Sequence, residues 1–346
     1  MSNPSDKLTI FLTGAIGYIG GTVLARLLEH PKASTFDITI LVRSPEKAQK
    51  FESFGVKAVV TSLEDEGTIE EVASKAHIVI NTANADHLKA AQAILRGLKK
   101  RHETTGDVPI LIHTSGTGTF TDNAKGLYAS DTIWDDANPA QIETLPDNAV
   151  HRHVDLPITR ADEEGYVRSY IILPGIIFGI AKTPFVEAGL QNPVTIAIPV
   201  LTKAAQGRGR AGVVGKGLAI WPYVHIDDTV DLYILLLDAI LSNPDKVDHG
   251  RNGYYIAANM ELSWYDFSKA IGQAFVDLGI HKDAEPTTFT TEELVKYFGS
   301  ENDGWVLGTN ARCRANHSYA LGWKPKYTVQ NLLEGIKEEV QFNLRR

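Results

Sequence analysis

Short apolar runs alternate with amphipathic stretches through the first half of this 346-residue chain, and this alternation constrains its fold more than any other feature. The runs at 38–42 and 78–80 consist almost wholly of Val, Ile and Leu, as do strands that are buried on both faces of a sheet. Such runs, separated by helical stretches, predict βαβ units and a parallel sheet. The predicted strands are 8–13, 38–42, 58–61, 78–81, 110–113 and 170–173, and the predicted helices are 18–29, 45–54, 68–74, 86–100 and 148–164.

This regular alternation ends after Pro174-Gly175. Residues 178–217 mix Gly, Pro and apolar residues without a clean period, and no low-complexity linker separates them from the rest. Beyond them we predict a strand at 254–257 and helices at 227–241, 265–278, 291–298 and 329–342. We therefore expect an α/β protein, a Rossmann-type doubly wound parallel sheet with a small interleaved C-terminal substrate lobe. The expected core is 5–177 with 218–258, and the expected lobe is 178–217 with 259–346.

Composition excludes several classes of protein. With 43% hydrophobic and 22% charged residues the chain is typical of a globular protein, and a net charge of -8 gives no general attraction for nucleic acid. The only cysteine is Cys313, and no HExxH or CxxC motif predicts a metal site. The polar N-terminus and the lack of a long apolar run predict a cytoplasmic protein without a membrane partner. We expect a small-molecule substrate as partner, and a homodimer is left open.

The sharpest motif is the glycine-rich segment between the first predicted strand and the first predicted helix. Gly14 is placed to form the tight turn, Gly17 to let a diphosphate approach the backbone, and Gly20 to let the helix pack on the strand. The start of the helix offers free N–H groups to the phosphates. A purely structural strand-to-helix turn is the alternative. The predicted cofactor-binding residues of this segment are Gly14, Ile16, Gly17, Tyr18, Ile19 and Gly20.

Basic residues follow the second predicted strand, where an NAD-selective site would carry an acid. Arg43 can bind a 2'-phosphate through charge-assisted hydrogen bonds, and Lys47 lies one helical turn further on. NADP(H) is therefore the expected cofactor. Alternatively, both side chains are ordinary solvated charges at the start of a helix. Two other strand ends complete this prediction, with Ser62 and Leu63 beside adenine and Asn81 and Ala83 beside the nicotinamide ribose.

Several motifs together resemble an extended short-chain dehydrogenase/reductase of the NAD(P)-dependent epimerase/dehydratase or NmrA-like kind. They are TGAIGYIG from Thr13, Arg43, His113-Thr114-Ser115-Gly116, Leu173-Pro174-Gly175, Val224-His225-Ile226-Asp227-Asp228 and Leu321-Gly322-Trp323-Lys324-Pro325. The resemblance implies a Rossmann core with a C-terminal substrate lobe, with Pro174 near the cofactor. It also implies a Ser or Thr that polarises a carbonyl and a Tyr-x-x-x-Lys pair that handles the proton.

The chain departs from that family pattern because no Tyr-x-x-x-Lys precedes the sixth predicted strand. At the corresponding place stand His151 and Asp155, which share a helix face. His151 could act as the acid with Asp155 stabilising its charged form, and Ser115 and Thr117 could hydrogen-bond a substrate oxygen. Alternatively, His151 and Asp155 form a weak surface ion pair, and the two hydroxyls cap a strand end.

Two functions stay open. The first is an NADP(H)-dependent oxidoreductase without Tyr-x-x-x-Lys that acts on a small carbonyl or conjugated substrate, and the second is an NmrA-like regulator that senses NADP(H) without turnover. The aromatic residues of the lobe favour the enzyme, because they could line an apolar pocket. These residues are Phe178, Phe185, Trp221 and Tyr223. Acids at 227–228 are expected to cap a helix rather than bind a metal.

Overall fold

The computed structural model describes residues 7–346, so the first two residues of the expected core lie outside the described part. Its central feature is a seven-stranded parallel sheet with the strand order β11-β7-β5-β4-β1-β2-β3. The strands are β1 (Leu8–Thr13), β2 (Phe36–Val42), β3 (Lys57–Val60), β4 (Ile78–Asn81), β5 (Ile110–Thr114), β6 (Trp134–Asp135), β7 (Arg168–Pro174), β8 (Ile176–Phe178), β9 (Gly212–Val213), β10 (Ile220–His225), β11 (Tyr254–Ala257), β12 (Met260–Ser263), β13 (Thr287–Thr288) and β14 (Cys313–Arg314).

Helices cover the sheet on both sides and also build most of the C-terminal part of the chain. They are α1 (Tyr18–Leu28), α2 (Pro45–Glu52), α3 (Glu66–Ala73), α4 (Leu88–Thr105), α5 (Pro139–Ile142), α6 (Arg152–Glu163), α7 (Pro184–Glu187), α8 (Ala197–Arg208), α9 (Ile226–Ser242), α10 (Trp264–Asp277), α11 (Thr291–Phe298), α12 (Glu301–Trp305), α13 (Asn316–Leu321) and α14 (Val329–Leu344).

The predicted Rossmann-type doubly wound fold is confirmed. The strand order reverses between β1 and β4, and in open α/β sheets such a switch point forms a ligand-binding crevice at the carboxyl ends of the strands. The registers bring Thr13 beside Asn81 and Asn81 beside His113 at this edge. Polar side chains from three strands therefore meet at one place in the fold.

Local sequence explains where the best-predicted helices begin. Ser44 caps α2 by accepting a hydrogen bond from the backbone N–H of Lys47 at 3.3 Å, and Pro45 follows at the first helical position. Asp65 caps α3 in the same way through the N–H of Thr68. In contrast, the helix predicted over 148–164 begins only at Arg152, because His151 before it has a left-handed backbone with φ of 67°.

The segment without a clean sequence period, 178–217, contains α7, α8 and β9. Strand β10 lies in a second, three-stranded sheet with the order β12-β10-β8. Strand β10 leads directly into helix α9, which packs on helix α1 beside the main sheet. Arg26 of α1 and Asp231 of α9 form an ion pair of 3.0 Å there. The chain thus passes between the seven-stranded and the three-stranded sheet more than once. Within 7–346, no helix is both long enough and apolar enough to span a membrane.

Two of the motifs noted in the sequence bind each other. Asp228 is buried and accepts hydrogen bonds from the backbone N–H groups of Lys326 and Tyr327 at 2.9 and 3.0 Å. The indole of Trp323 donates to the carbonyl oxygen of Asp228 at 2.8 Å. His225, rather than either aspartate, is the N-cap of α9. The VHIDD and LGWKP motifs therefore fasten the C-terminal segment to the core.

Candidate functional site

The three glycines of the first loop have three different environments. Gly14 has φ of 81°, and a Cβ there would lie 2.6 Å from Oγ1 of Thr82. A Cβ on Gly20 would lie 2.4 Å from the carbonyl oxygen of Gly14, so the helix could not pack on the loop. A Cβ on Gly17 would meet only that same carbonyl oxygen, at 3.1 Å, and φ of -84° is ordinary. Gly17 therefore faces open space, while the other two form the turn and its packing.

This open space is a groove of about 390 Å³, which we call the Arg43 groove. It runs from the glycine loop across the ends of β2, β3 and β4. The guanidinium of Arg43 is exposed at its edge and makes no ion pair with any residue in 7–346. Its lining residues include Gly14, Ile16, Gly17, Arg43, Ser62, Leu63, Glu64, Ala83 and His87. Most of the predicted cofactor-binding residues thus share one groove.

Six predicted cofactor-binding residues do not line this groove: Tyr18, Ile19, Gly20, Lys47, Asn81 and Pro174. Asn81 is buried and does not line the groove, because its amide oxygen accepts a hydrogen bond from Thr13 at 2.6 Å and its amide nitrogen contacts His113 at 3.0 Å. Lys47 is half-buried on α2 beyond the residues that line the groove. The acid in this groove is Glu64, after β3 rather than β2, and a hydrogen bond from His87 lowers the pKa of Glu64.

The glycine loop is held from the other side by residues that the sequence analysis missed. The buried amide of Gln191 donates to the carbonyl oxygen of Tyr18 at 3.1 Å and to Oγ1 of Thr22 at 2.9 Å. A Cβ on Gly21 would lie 2.4 Å from the Gln191 side chain. The Tyr18 hydroxyl is buried and donates to the carbonyl oxygen of Gly179. The extra glycine after the motif was the available signal that something approaches closely there.

A second cavity, which we call the Ser115 cavity, has a volume of about 770 Å³ and adjoins the first at the glycine loop. Gly17, Thr82 and Ala83 line both. Its lining includes Ser115, Pro174 and Ile19 from the expected core, and Val194, Trp264 and Phe298 from the expected lobe. The carboxyl ends of the central strands thus open into two connected spaces on either side of Gly17.

Ser115 lines this cavity and is hydrogen-bonded to a buried acid, Asp155. Its hydroxyl donates to Oδ2 of Asp155 at 2.8 Å. Asp155 is fully buried in α6, so the surface ion pair considered as an alternative is wrong. Burial raises the pKa of Asp155 to about 7, although the Ser115 hydrogen bond and the nearby Arg152 charge oppose this effect. At neutral pH Asp155 can therefore exist as a carboxylic acid and donate a proton.

Further buried polar side chains lie next to Ser115 and Asp155, on the side away from the cavity. Nε2 of His113 lies 3.8 Å from Oδ1 of Asp155, and the other ring nitrogen of His113 contacts the amide of Asn81. Burial lowers the pKa of His113 to about 3, so its ring is neutral near pH 7. The cluster Ser115, Asp155, His113, Asn81 and Thr13 therefore links the cavity to the buried strand ends.

Unlike Ser115, the side chains of His151 and Thr117 do not line the Ser115 cavity. Nδ1 of His151 lies 2.8 Å from Oδ1 of Asp86, and its ring packs against the loop at Gly116 and Gly118. Thr117 is buried, and its hydroxyl makes no hydrogen bond within 7–346. Neither residue lines the Ser115 cavity. Their predicted catalytic roles receive no support from contacts with that space.

The aromatic residues expected to line a pocket divide between pocket and core. Trp221 lines the Ser115 cavity. Phe185 instead packs on Phe51 at a ring distance of 5.1 Å, and Tyr223 is fully buried beside Phe267, so the expectation that these two line a pocket is wrong. Phe178 borders a separate, smaller cavity of about 260 Å³.

Residues 6–101 match the model of the NmrA-like family. An oxidase from Acremonium sp is 29% identical over 336 residues, covering 91% of this chain and 92% of that protein. A dihydroflavonol 4-reductase from Solanum lycopersicum is 21% identical over 322 residues, covering 85% of this chain and 78% of that protein. The relatives thus come from an oxidoreductase-type family.

Solved structures share the fold over the whole chain. A dTDP-glucose 4,6-dehydratase from Streptomyces venezuelae, solved with NAD bound, superimposes with a TM-score of 0.66 at 16% identity and covers 98% of each chain. The resemblance to NmrA-like proteins and to extended short-chain dehydrogenases/reductases, which the motifs indicated, is confirmed.

Proposed function

We propose that this relative of the NmrA-like proteins and extended short-chain dehydrogenases/reductases is an NADP(H)-dependent oxidoreductase acting on a carbonyl or conjugated substrate. The observation that carries the proposal is the position of Ser115. Its hydroxyl lies in a cavity that adjoins the glycine loop and has a buried, protonatable acid behind it. A hydroxyl in this position can donate a hydrogen bond to an alkoxide that develops next to a bound dinucleotide.

The glycine loop fits a dinucleotide diphosphate. Gly17 leaves space where a side chain would otherwise project, and the first N–H groups of α1 have no side-chain cap. In this proposal Gly14, Gly17 and Gly20 with Ile16, Tyr18 and Ile19 form the diphosphate site, and Arg43 binds the 2'-phosphate with Lys47 nearby. Ser62 and Leu63 flank adenine, and Ala83 and Pro174 lie towards the nicotinamide.

When bound, NADPH supplies a hydride to the substrate carbon. With Asp155 protonated, the hydrogen bond of the pair would reverse, so that the carboxyl group donates to Ser115. The Ser115 hydroxyl would then donate to the substrate oxygen and pass its proton there as the negative charge develops. The Ser115 oxygen would then take a proton from the carboxyl group of Asp155, which becomes a carboxylate and must be reprotonated before the next turnover. This pair would do the work that Tyr-x-x-x-Lys does in the wider family. His151, together with Asp86, would hold the loop at 116–118.

The domain division expected from the sequence is part of the proposal. Residues up to 177 with 218–258 would hold the cofactor, and residues 178–217 with 259–346 would hold the substrate. Both sets of residues line the Ser115 cavity. Ser115 and Pro174 belong to the cofactor set, and Val194 and Phe298 belong to the substrate set.

Turnover of NADPH tests this function. Loss of NADPH absorbance would be followed with a panel of aldehydes, ketones and enones, using wild type, Ser115→Ala and His151→Phe. Oxidation by wild type that is lost in Ser115→Ala and largely kept in His151→Phe supports the mechanism. Turnover that survives in Ser115→Ala but not in His151→Phe would assign the proton to the histidine.

The second candidate is a regulator that binds NADP(H) without turnover. The missing Tyr-x-x-x-Lys pair favours it, because that family position carries His151 and Asp155. Tight NADPH binding without oxidation across the whole panel would favour the regulator over the enzyme.

A further inference from the structure

The Ser115 cavity has an unusual lining for a fold shared with sugar-nucleotide enzymes. No Lys, Arg or His is among the residues of 7–346 that line it. Its single charged lining residue is Asp303, an acid. Most of the remaining wall is aliphatic or aromatic, and includes Ile176, Val194, Val200, Trp221, Trp264 and Phe298. A diphosphate bound here would lose its hydration without gaining a cationic partner.

Basic side chains on neighbouring elements are directed to other partners. Arg208 at the end of α8 forms an ion pair of 2.9 Å with Glu293 and stacks on the Phe289 ring at 4.6 Å. Lys125 places its ammonium 3.6 Å from the ring centroid of Trp305. Lys296 lies 5.0 Å from the Tyr297 ring, outside the lining. The cavity wall therefore keeps its acidic and apolar character.

Polar groups in the cavity suit isolated oxygens better than a diphosphate. Ser115 offers one hydroxyl, whereas the amide of Asn192 is already hydrogen-bonded to Val194 and Arg346. The first turn of α8 also borders the cavity, and Ile196 before it provides no side-chain cap. Helix N–H groups can donate hydrogen bonds to a substrate oxygen, but without Arg or Lys beside them they offer only partial charge.

The mouth of the cavity exposes apolar side chains. Ile196 is 81% exposed and Val306 is 43% exposed, and both border the opening. Apolar side chains at the rim of a cavity lose contact with water when an apolar ligand covers them, which favours its binding.

We infer that the Ser115 cavity takes an uncharged, largely apolar carbonyl compound with a ring that can lie against Trp221 and Trp264, and that it rejects sugar nucleotides. This inference rests on the proposed function only for the carbonyl, whereas the lack of cations and the apolar wall stand by themselves. The 770 Å³ volume leaves room for such a ring beside a nicotinamide.

Binding tests the substrate class without requiring turnover. Full-length protein would be titrated calorimetrically with benzylideneacetone and with UDP-glucose, each in the presence and absence of saturating NADP+. We expect saturable binding of benzylideneacetone and at least tenfold weaker binding of UDP-glucose. Equal or tighter binding of UDP-glucose, or no saturable binding of the ketone, would overturn the inference.

Two valines provide a matched pair of variants. Val306 borders the cavity, while Val295 on α11 is 49% exposed and does not line it. Val306→Asp should weaken ketone binding about tenfold, the effect of losing ~1.4 kcal/mol, and Val295→Asp should leave it unchanged. Equal effects of the two variants would contradict the site. Ketone binding at this site without NADPH oxidation would uphold the substrate class and reject the oxidoreductase.

Discussion

The Arg43 groove and the Ser115 cavity meet at Gly17, yet they are built in different ways. The groove depends on backbone close approach at the glycine loop and on one exposed guanidinium. The cavity depends on Ser115 directly after β5, on the end of β7 and on the lobe, with Asp155 of α6 bonded to Ser115, and these parts lie far apart in the sequence. A groove built from local backbone can thus be predicted from a motif, whereas a cavity assembled from distant parts of the chain cannot.

Removing the Ser115 hydroxyl is the strongest test of the cavity side of this comparison. Ser115→Ala should lower kcat by ~10²–10³-fold, since one donor to a developing oxyanion has an effect of that size, while NADPH affinity stays the same. Ser169→Ala is the matched control, because Ser169 is a fully buried serine of the neighbouring strand β7 that lies outside the cavity. Steady-state NADPH oxidation would measure both. Equal losses in the two variants would remove Ser115 from the reaction.

Replacing Asp155 tests whether the buried acid supplies the proton. Reduction by wild type should fall as pH rises through about 7, since the pKa of Asp155 is raised to about 7 and only its protonated form can donate. Asp155→Asn should cost ~10²-fold in kcat, as for loss of a general acid, and should flatten the profile. The groups near Asp155 include Ser115, His113, Arg152, Tyr254 and, more distantly, Asp86. A wild-type profile retained in the variant would contradict the assignment.

The same carboxyl has a predictable effect on stability. Because its folded pKa is raised from 3.8 to about 7, protonated Asp155 favours the native state at low pH, and this contribution is lost as pH rises from about 4 to 7. Asp155→Asn should therefore gain stability relative to wild type between pH 5 and pH 8. Urea unfolding at the two pH values would measure the difference. The comparison with wild type is needed because burial also raises the pKa of Asp136 and Glu339.

Arg43 tests the groove side. Arg43→Ala should weaken NADPH binding by ~10–100-fold, which corresponds to losing hydrogen bonds to a charged group, and should change NADH binding little. Lys47→Ala should have a smaller effect, because Lys47 lies outside the groove lining. Calorimetric titration of both nucleotides would show whether the losses differ. Equal losses for NADPH and NADH would exclude a 2'-phosphate role for Arg43.

The glycines give the finest test of the groove. Gly17→Ala should fold nearly normally and weaken NADPH binding by about tenfold, because its methyl group would enter the open groove. Gly20→Ala should instead lower the melting temperature, because its methyl group would overlap the Gly14 carbonyl. Thermal unfolding with and without NADPH would separate the two effects. A stable Gly20→Ala or a normally binding Gly17→Ala would contradict the roles given to them.

The sequence was sufficient for the parallel sheet and for the glycine loop, because buried strands and a strand-turn-helix glycine pattern are local signals. It was not sufficient for the partners of Asp155. Their contact depends on where α6 begins, and the left-handed backbone of His151 set that start. Likewise, nothing near Gln191 in the sequence indicates that its side chain would bind Tyr18, 173 residues earlier in the chain.

Aromatic residues illustrate the same limit. Phe185 and Tyr223 have the residue type of pocket walls, yet they line no part of the Ser115 cavity, while Trp221 and Trp264, also buried, contribute to its wall. Residue type sets how much apolar surface a side chain can bury, and only the fold decides whether protein or ligand covers it.

Calorimetric titration of the wild-type protein with NADPH and NADH tests the central claim most directly. The account predicts saturable binding of NADPH and clearly weaker binding of NADH, since the glycine loop would hold the diphosphate and Arg43 the 2'-phosphate. Absence of saturable binding for both nucleotides would contradict it.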